Sequence, residues 1–327
     1  NIDVMSPFFF IRSYNIIGPL TTFDIGPAVD FAVTHIEEDK YRPGFVLFSQ
    51  GHALKTSDGV TTQVIAGSPA QFGSYGYREG KGTSARFYLI NGFYQITPSL
   101  VIVVDNGNCC LRQVDRGTNM TSTYIGVCGR DHCAYQDGTG TSVKFRYPWG
   151  IIDDKRNPKV MFISDEYNNA IRKLDSEIGV TLPVAQSREH LKIVRGMTQD
   201  NLGNLFVTFN DGITKVSIES GITEILVGST TAEGFRDGPF TFVQFDDPRD
   251  VVMINDSALV VADDGNHRLR VLDLITNTSS SICVGRWGYG DGNLKNCTIS
   301  DPNAVAIIGK NLFVGGWILM RKVYCKF

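Results

Sequence analysis

The chain has 327 residues, of which 42% are hydrophobic and 34 are glycine, so it is long enough to build a large core with many tight turns. Its formal net charge of −3 argues against a nucleic-acid partner, which usually leaves a basic footprint. The sequence has no continuous apolar run of membrane-spanning length, so we expect no membrane insertion by this segment.

The first predicted element is a strand over residues 8–18, with the sequence FFFIRSYNIIG. It resembles the strand that precedes each long loop later in the chain, but no hairpin comes before it. The last repeated unit, in turn, stops one strand short. We therefore expect residues 8–18 to supply that missing outer strand and so close a ring. The chain opens without a methionine or a signal peptide, which predicts a processed or excised ectodomain.

A hairpin recurs along the chain, and its clearest copy is VADDGNHRLRVLD at Val261–Asp273. An apolar run predicts a buried strand, DDGN predicts a turn, and alternating Leu and Arg predict a half-exposed strand. Further copies lie at Val104–Asp115 and Ile163–Asp175, with weaker ones at Leu47–Asp58, Val207–Ser217 and Val314–Tyr324. Six copies spaced roughly 45 to 60 residues apart are typical of a repeat architecture.

Charged residues recur at fixed places in the three clear hairpins. An aspartate begins the turn of each one, at Asp105, Asp165 and Asp263. An arginine follows it seven positions later, at Arg112, Arg172 and Arg270. We expect the aspartates to accept backbone N–H groups within the turn and the arginines to tie neighbouring units through ion pairs or bonds to carbonyls.

A second block, with Asp-Gly followed by Phe and Pro, lies between successive hairpins. It is clearest at Asp137-Gly138, Phe145 and Pro148, and it returns from Asp237 and from Asp291. Joined to the hairpin, this unit resembles the NHL repeat. The resemblance covers nearly the whole chain and implies an all-β fold: a six-bladed β-propeller of four-stranded antiparallel blades, closed by the N-terminal strand in blade six. Residues 1–327 are then expected to form a single domain.

The predicted strands follow this unit in chain order. Units one to three have strands at Val29–Ile36, Phe45–Phe48, Ala53–Ser57, Thr62–Ala66, Gly92–Thr97, Leu100–Val104, Cys110–Val114, Thr121–Val127, Trp149–Asp153, Val160–Ile163, Ala170–Leu174 and Val180–Val184. Unit four is irregular because its linker, Ala185–Ile193, lacks the Asp-Gly block. We interpret that as drift in a loop rather than as a functional insertion. Unit six has strands at Ala304–Ile308, Asn311–Gly315 and Met320–Phe327.

Sequons and cysteines indicate a secreted protein or the extracellular face of the cell surface. The sequence has four N-glycosylation sequons, at Asn119, Asn255, Asn277 and Asn296. Among its seven cysteines, Cys128 with Cys133 and Cys283 with Cys297 are predicted disulfides that staple two loops. For Cys109, Cys110 and Cys325 two arrangements stay open: one of the adjacent pair bonds Cys325, or the two form a vicinal bridge.

In a propeller of this type, the linkers between blades and the turns between second and third strands open on one face, which we name the loop face. Loops on a rigid ring are where such folds place binding. Aromatic and arginine side chains of these loops are the candidate binding residues: Phe72, Tyr75, Tyr77, Arg130, His132, Tyr135, Phe235, Arg236, Trp287 and Tyr289. Four of them share one register before the Asp-Gly block or its equivalent, and these have the alternative role of packing under it: Tyr77, Tyr135, Phe235 and Tyr289.

These observations favour a non-enzymatic extracellular module that binds a protein or glycan partner, with no cofactor and no metal. Such a module can be one part of a larger receptor or adhesin. The alternative is a metal-dependent lyase or hydrolase at the channel mouth, similar to the amidating lyase, which holds zinc with three histidines. The candidate ligands for that alternative are His52, His132, His190 and His267. No HxH or HExxH pair supports it.

Overall fold

Six antiparallel sheets stand around a central channel, which confirms the all-β, six-bladed propeller. The computed structural model describes residues 15–16, 21–23, 33–69, 74–229, 231–283, 288, 290–291, 297–316 and 320–326. Among the described residues, no helix has the length and apolar character needed to cross a membrane.

Each blade has four positions, which run from the channel to the outside of the ring. The inner strands are β3 (Val33–Glu38), β8 (Ile90–Gln95), β13 (Pro148–Asp154), β17 (Met197–Gln199), β22 (Pro248–Asn255) and β26 (Ala304–Ile308). The second strands are β4 (Val46–Gln50), β9 (Leu100–Asp105), β14 (Asn157–Asp165), β18 (Asn204–Phe209), β23 (Ala258–Asp263) and β27 (Asn311–Gly315). The third strands are β5 (Ala53–Ser57), β10 (Cys110–Asp115), β15 (Ala170–Asp175), β19 (Gly212–Ser217), β24 (Arg268–Asp273) and β28 (Met320–Lys326).

The outer positions and the linkers complete the blades. Blades 1 to 5 end in the outer strands β6 (Thr62–Gly67), β11 (Met120–Ile125), β16 (Val180–Gln186), β20 (Thr223–Gly228) and β25 (Thr278–Ile282). Three linkers add a two-residue strand to the next outer strand: β7 (Gly80–Lys81), β12 (Gly138–Thr139) and β21 (Gly238–Pro239). Short 3-10 turns lie at Gly82–Ser84, Asn106–Asn108, Arg130–His132, Gly140–Ser142, Glu166–Asn168 and Phe240–Phe242.

The N-terminal segment closes the ring, as predicted. Two short strands, β1 (Asn15–Ile16) and β2 (Thr21–Phe23), pair antiparallel with β28, the third strand of blade 6. Residues 8–14 and 17–18 of the predicted closing strand lie outside the described part. The inner strand β26 also contacts β3, so the first and last blades meet at the channel. This closure leaves the last blade without an unpaired edge along those residues.

The core consists of six apolar clusters, each lying between two neighbouring blades. Because each blade packs against a neighbour on both faces, the second strands β4 and β23 are buried along their whole length. The expectation of a half-exposed third strand is therefore wrong: Arg270 on β24 is fully buried between blades. The arginine in this alternating pattern is therefore a buried charge, and the pattern does not indicate a solvent-exposed face.

The register of the strands separates the two ends of the ring. At one end, inner strands begin beside the turns between second and third strands, as in the pairs Ile90 with Asp105 and Pro148 with Asp165. This end is the loop face. The opposite end carries the turns between first and second strands and between third and outer strands, and we name it the turn face.

Candidate functional site

A buried aspartate organises the loop face in each clear hairpin. Asp263 accepts the backbone N–H of Asp246 at 3.0 Å through Oδ1, and it accepts Asn266 Nδ2 at 3.0 Å and an Arg270 N–H at 2.7 Å through Oδ2. Burial raises the pKa of Asp263 to about 6, although the charge of Arg270 opposes that rise. The same contacts surround the matching aspartates, Asp105 and Asp165. The aspartates accept a backbone N–H group, as predicted, but the prediction that the donor lies in the turn is wrong because it lies in the linker.

The buried arginine fixes the course of that same linker. Arg270 donates to the backbone carbonyls of Gln244 at 2.9 Å and Arg236 at 2.7 Å, and to the Asp237 carboxylate at 3.0 Å. A planar guanidinium with five N–H groups suits a position that must satisfy several acceptors at once. The predicted bonds from the arginines to backbone carbonyls are confirmed. The prediction that these arginines join neighbouring units is wrong. The arginine holds the linker that leads into its own blade.

The aromatic residues of the shared register cover these arginines. The guanidinium carbons of Arg112, Arg172 and Arg270 lie 4.8, 4.5 and 5.1 Å from the ring centroids of their partners, which are Tyr77, Tyr135 and Phe235. The rings remain 46%, 38% and 46% exposed. The Tyr77 hydroxyl also contacts Thr123 Oγ1 on the outer strand β11 at 3.0 Å. Tyr77 therefore packs as part of the repeat, at the rim of the ring and away from the channel mouth.

Four side chains form a continuous patch where blades 1 and 2 meet on the loop face, and we name it the tyrosine patch: His52, Tyr75, Tyr88 and Arg130. Tyr75 stacks on Tyr88 with ring centroids 4.8 Å apart, and His52 lies 5.6 Å from Tyr75. Arg130 lies over Tyr88 at 4.6 Å and donates to its hydroxyl at 3.0 Å. Tyr75 is 53% exposed. The structure thus brings together two predicted binding residues, Tyr75 and Arg130.

Three tyrosines of this face were missed by the sequence analysis. Tyr88 is the linker residue whose N–H binds Asp105, so its place in the repeat was a usable signal. Tyr147 and Tyr167 make an edge-on contact at 5.3 Å, and Tyr167 is half exposed. Tyr167 occupies the hairpin turn where the other clear copies have glycine. A comparison of the repeats position by position would have found it.

Two disulfides pin the loop that carries Arg130 and His132. Cys109 bonds Cys133, and Cys110 bonds Cys128. The predicted Cys128–Cys133 pair is wrong, and so are the vicinal bridge and the pairing of Cys109 or Cys110 with Cys325. The loop crosses the blade 2 turn, with the Gly129 N–H bound to the Asn108 carbonyl, so both loop cysteines face the turn rather than each other.

The remaining predicted residues are dispersed. His132 is exposed in the disulfide-bound loop, beside Arg130 in sequence, and Arg236 is exposed in the blade 5 linker, across the ring. Cys283 and Cys297 form the predicted disulfide. Four of the predicted residues lie outside the described part of the chain: Phe72, Trp287, Tyr289 and the sequon Asn296. The side chain of Cys325 is likewise outside it.

A charged network, unanticipated from the sequence, lies at the loop-face end of the channel. Arg195 pairs with Asp247 and, at 3.1 Å, with Glu166; Arg249 pairs with Asp247 at 2.7 Å and with Asp264 at 3.2 Å. Burial raises the pKa of Glu166 and raises that of Asp264 to about 7, against the charge of nearby arginine. Burial also acts upward on Asp247, but its two arginines bring its pKa below the ordinary value. These ion pairs join blades 3, 4 and 5.

Trp149 completes that end of the channel. The guanidinium carbons of Arg195 and Arg249 lie 5.1 and 5.6 Å from its ring, which is buried. The space beside Trp149 measures about 10 Å³, so the channel is narrow here. The contributing residues come from non-equivalent positions of three blades, which is why no repeat pattern indicated them.

The candidate metal ligands occupy separate places. His52 Nδ1 accepts the Leu89 N–H at 3.1 Å, and His267 Nδ1 accepts the Asp301 N–H at 3.3 Å. His190 Nδ1 contacts Thr223 Oγ1 at 2.9 Å. Within the part of the chain that the structure describes, no group of three or more His, Cys, Asp or Glu side chains is arranged to hold a metal ion.

Three sequons lie on the turn face. Asn119 and Asn277 are in turns between third and outer strands, and Asn255 ends the inner strand β22. All three side chains are exposed. Glycans at these positions would project from the end of the ring opposite the tyrosine patch.

No family model matches the chain. It is 24% identical over 261 residues to the chloroplastic protein SUPPRESSOR OF QUENCHING 1 of Arabidopsis thaliana, and the match covers 72% of this chain but only 24% of that protein. An auxiliary nutrient binding protein from Bacteroides ovatus superposes with a TM-score of 0.69 at 15% identity, covering 94% of this chain and 77% of the other. Virginiamycin B lyase from Staphylococcus aureus superposes with a TM-score of 0.59 at 11% identity, covering 94% and 99%. The two structural likenesses show the propeller fold, which hosts both binding proteins and lyases.

Proposed function

We propose that the chain is an extracellular binding module of the NHL-repeat type, whose loop face docks a protein or glycan partner. The tyrosine patch is the observation that carries the proposal. Stacked, rigidly held tyrosines beside an arginine supply large contact area at low entropic cost, which is typical of interface anchors. Tyr147 and Tyr167 extend the aromatic surface into blade 3.

Two further observations support this assignment. Three disulfides favour an oxidising compartment, where such bonds persist. Two of them hold the loop of Arg130 against the blade 2 hairpin, so little ordering is needed when a partner binds. The sequons Asn119, Asn255 and Asn277 lie on the turn face, so their glycans would leave the loop face open.

The test uses glycosylated protein from a eukaryotic host, tetramerised and applied to a glycan array and to intact cells. The Tyr75→Ala, Arg130→Ala double variant is compared with Leu202→Ala, an exposed apolar residue in a turn of the turn face. We expect the double variant to lose about tenfold or more in affinity while Leu202→Ala binds as wild type. Equal binding of the folded double variant and wild type would exclude the tyrosine patch. Loss of cell binding after protease treatment, without array binding, would identify a protein partner.

A further inference from the structure

A second cavity lies in the central channel, at the turn face. It measures about 360 Å³, within the range of roughly 300–1,000 Å³ found for small-molecule sites. All six inner strands contribute to its wall, mainly through the halves of the strands that end at the turn face. None of the residues that line this cavity belongs to the tyrosine patch.

The wall of the cavity has a polar side and an apolar side. Blades 1 to 3 supply His35, Glu37, Tyr94 and Asp153. The Glu37 side chain is only 17% exposed, and Tyr94 is 7% exposed. Blades 5 and 6 supply aliphatic side chains only, apart from Asp250: Val251, Val252, Val305, Ala306, Ile307 and Ile308. A ligand that fits both sides has one charged or polar end and an apolar body.

The charge of the polar side of the cavity determines whether a positive or a negative ligand group fits there. Four carboxylates line the cavity, from Glu37, Asp153, Asp250 and the exposed Glu38. Two lysines line the cavity as well, but both are exposed on turns: Lys40 lies over the Tyr94 ring at 4.0 Å, and Lys155 Nζ donates to the Gln199 carbonyl at 2.5 Å. Among the described residues, neither lysine forms an ion pair with the interior carboxylates.

Asp250 is held in the cavity wall by backbone N–H groups. Its carboxylate accepts two backbone N–H groups, from Val251 and Val305, each at 2.9 Å. Burial raises its pKa to about 6, and the nearby His35 only partly opposes this. Burial, with the negative charges of Asp153 and Glu37, also raises the pKa of Tyr94. The interior therefore favours a cation and disfavours further negative charge.

We propose that this cavity binds a small organic cation: a protonated amine carried on an apolar, aliphatic or aromatic body. The ammonium group would lie among Glu37, Asp153 and Tyr94, where it would displace the exposed Lys40 ammonium from the Tyr94 ring; carboxylates and an aromatic ring both attract it. The apolar body would lie against Val252 and Ile307. The Lys40 ammonium over the same tyrosine ring is the chain's own example of that contact.

Isothermal titration calorimetry with three probes of one shape tests the proposal: phenethylamine, the neutral phenethyl alcohol and the anionic hydrocinnamate. We expect the amine to bind near neutral pH and the other two to bind at least about tenfold more weakly. Equal binding of amine and alcohol, or no amine binding at millimolar concentration, would overturn the proposal.

Variants locate the binding. Glu37→Gln with Asp153→Asn keeps side-chain shape and removes two charges, so the amine affinity should fall about tenfold or more. Ile307→Trp, which fills the cavity without changing its charge, should abolish binding and serves if the first variant fails to fold. Tyr75→Ala, on the loop face, should leave amine binding unchanged. Retention of amine binding by the folded channel variants would show that the amine binds elsewhere.

Discussion

The Nδ1 atom of His52 accepts the backbone N–H of Leu89 at 3.1 Å, so a turn residue of blade 1 holds the residue that leads into blade 2. Leu89 has a left-handed backbone, with φ of 64°. The same contact recurs with other acceptors, in the pairs Cys109 with Tyr147, Asn169 with Ile193 and His267 with Asp301. Each donor in these pairs also has a positive φ. The last residue of each of these hairpin turns thus holds the linker residue that leads into the next blade, and we name this contact the latch. The latch joins neighbouring units, which the buried arginines do not do.

Two replacements of His52 test its role as the acceptor of the Leu89 N–H at neutral pH. His52→Ala leaves the partly buried N–H of Leu89 without a partner and should cost about 1–3 kcal/mol of unfolding free energy at neutral pH. His52→Asn supplies the side chain that already latches blades 3 and 4, so its cost should be under about 1 kcal/mol. Chemical denaturation monitored by circular dichroism measures both. Equal losses for the two variants would contradict the latch.

The same histidine predicts a pH dependence. Burial lowers the pKa of His52 from 6.5 to about 4, so the unfolded chain binds the proton first. Its contribution to stability is complete above about pH 6.5 and is lost as the pH falls towards 4. The buried aspartates, whose pKa values are raised, act in the opposite direction, so the test is the difference between variants. Denaturation at several pH values should show that His52→Asn gains stability relative to wild type as the pH falls through this window, and a constant difference would contradict the prediction.

Removal of a buried arginine charge should be far more costly than removal of a neighbouring surface one. Arg270→Met leaves the buried Asp263 carboxylate unpaired and should cost about 3–5 kcal/mol. Arg268→Ala removes a partly exposed guanidinium from the same Phe235 ring, 4.2 Å from its centroid, and should cost at most about 1 kcal/mol. Thermal and denaturant unfolding compare the two. Similar losses would mean that the Asp263–Arg270 pair has no special part in the blade.

The disulfide assignment predicts a specific digest. Under non-reducing conditions, trypsin cuts after Arg112 and after Arg130, between the two loop cysteines. The observed pairing should therefore join three peptides, 87–112, 117–130 and 131–144, in one species that separates on reduction. A Cys128–Cys133 bond would instead give a two-peptide species without residues 87–112. Mass spectrometry of the secreted, deglycosylated protein distinguishes them.

Repetition explains what the sequence could and could not predict. Asp105, Asp165 and Asp263 recur with their arginines because each blade solves the same problem of fixing its linker, and that recurrence indicated the propeller. The cysteine pairing could not be predicted from sequence spacing, because the loop that crosses the blade 2 turn brings Cys128 and Cys133 next to the cysteines of that turn. The channel residues Glu37 and Asp153 come from separate blades and belong to no repeated motif. Their convergence depends on how six inner strands meet, which only the assembled ring determines.

The positions of the sequons make the last prediction. Asn119→Gln, Asn255→Gln and Asn277→Gln should each remove one glycan at most from the secreted protein, and none should change binding to the loop-face partner.

A glycan placed in the tyrosine patch should act differently. Arg130→Asn with His132→Thr creates an acceptor sequence there, and Arg130→Asn with His132→Ala is its matched control without one. Both variants lack Arg130, so a difference in binding between them is due to the glycan. If the glycosylated variant binds more weakly than its control and enzymatic deglycosylation restores the binding, the glycan blocks the loop face. Full binding by the glycosylated variant would move the partner site to another surface.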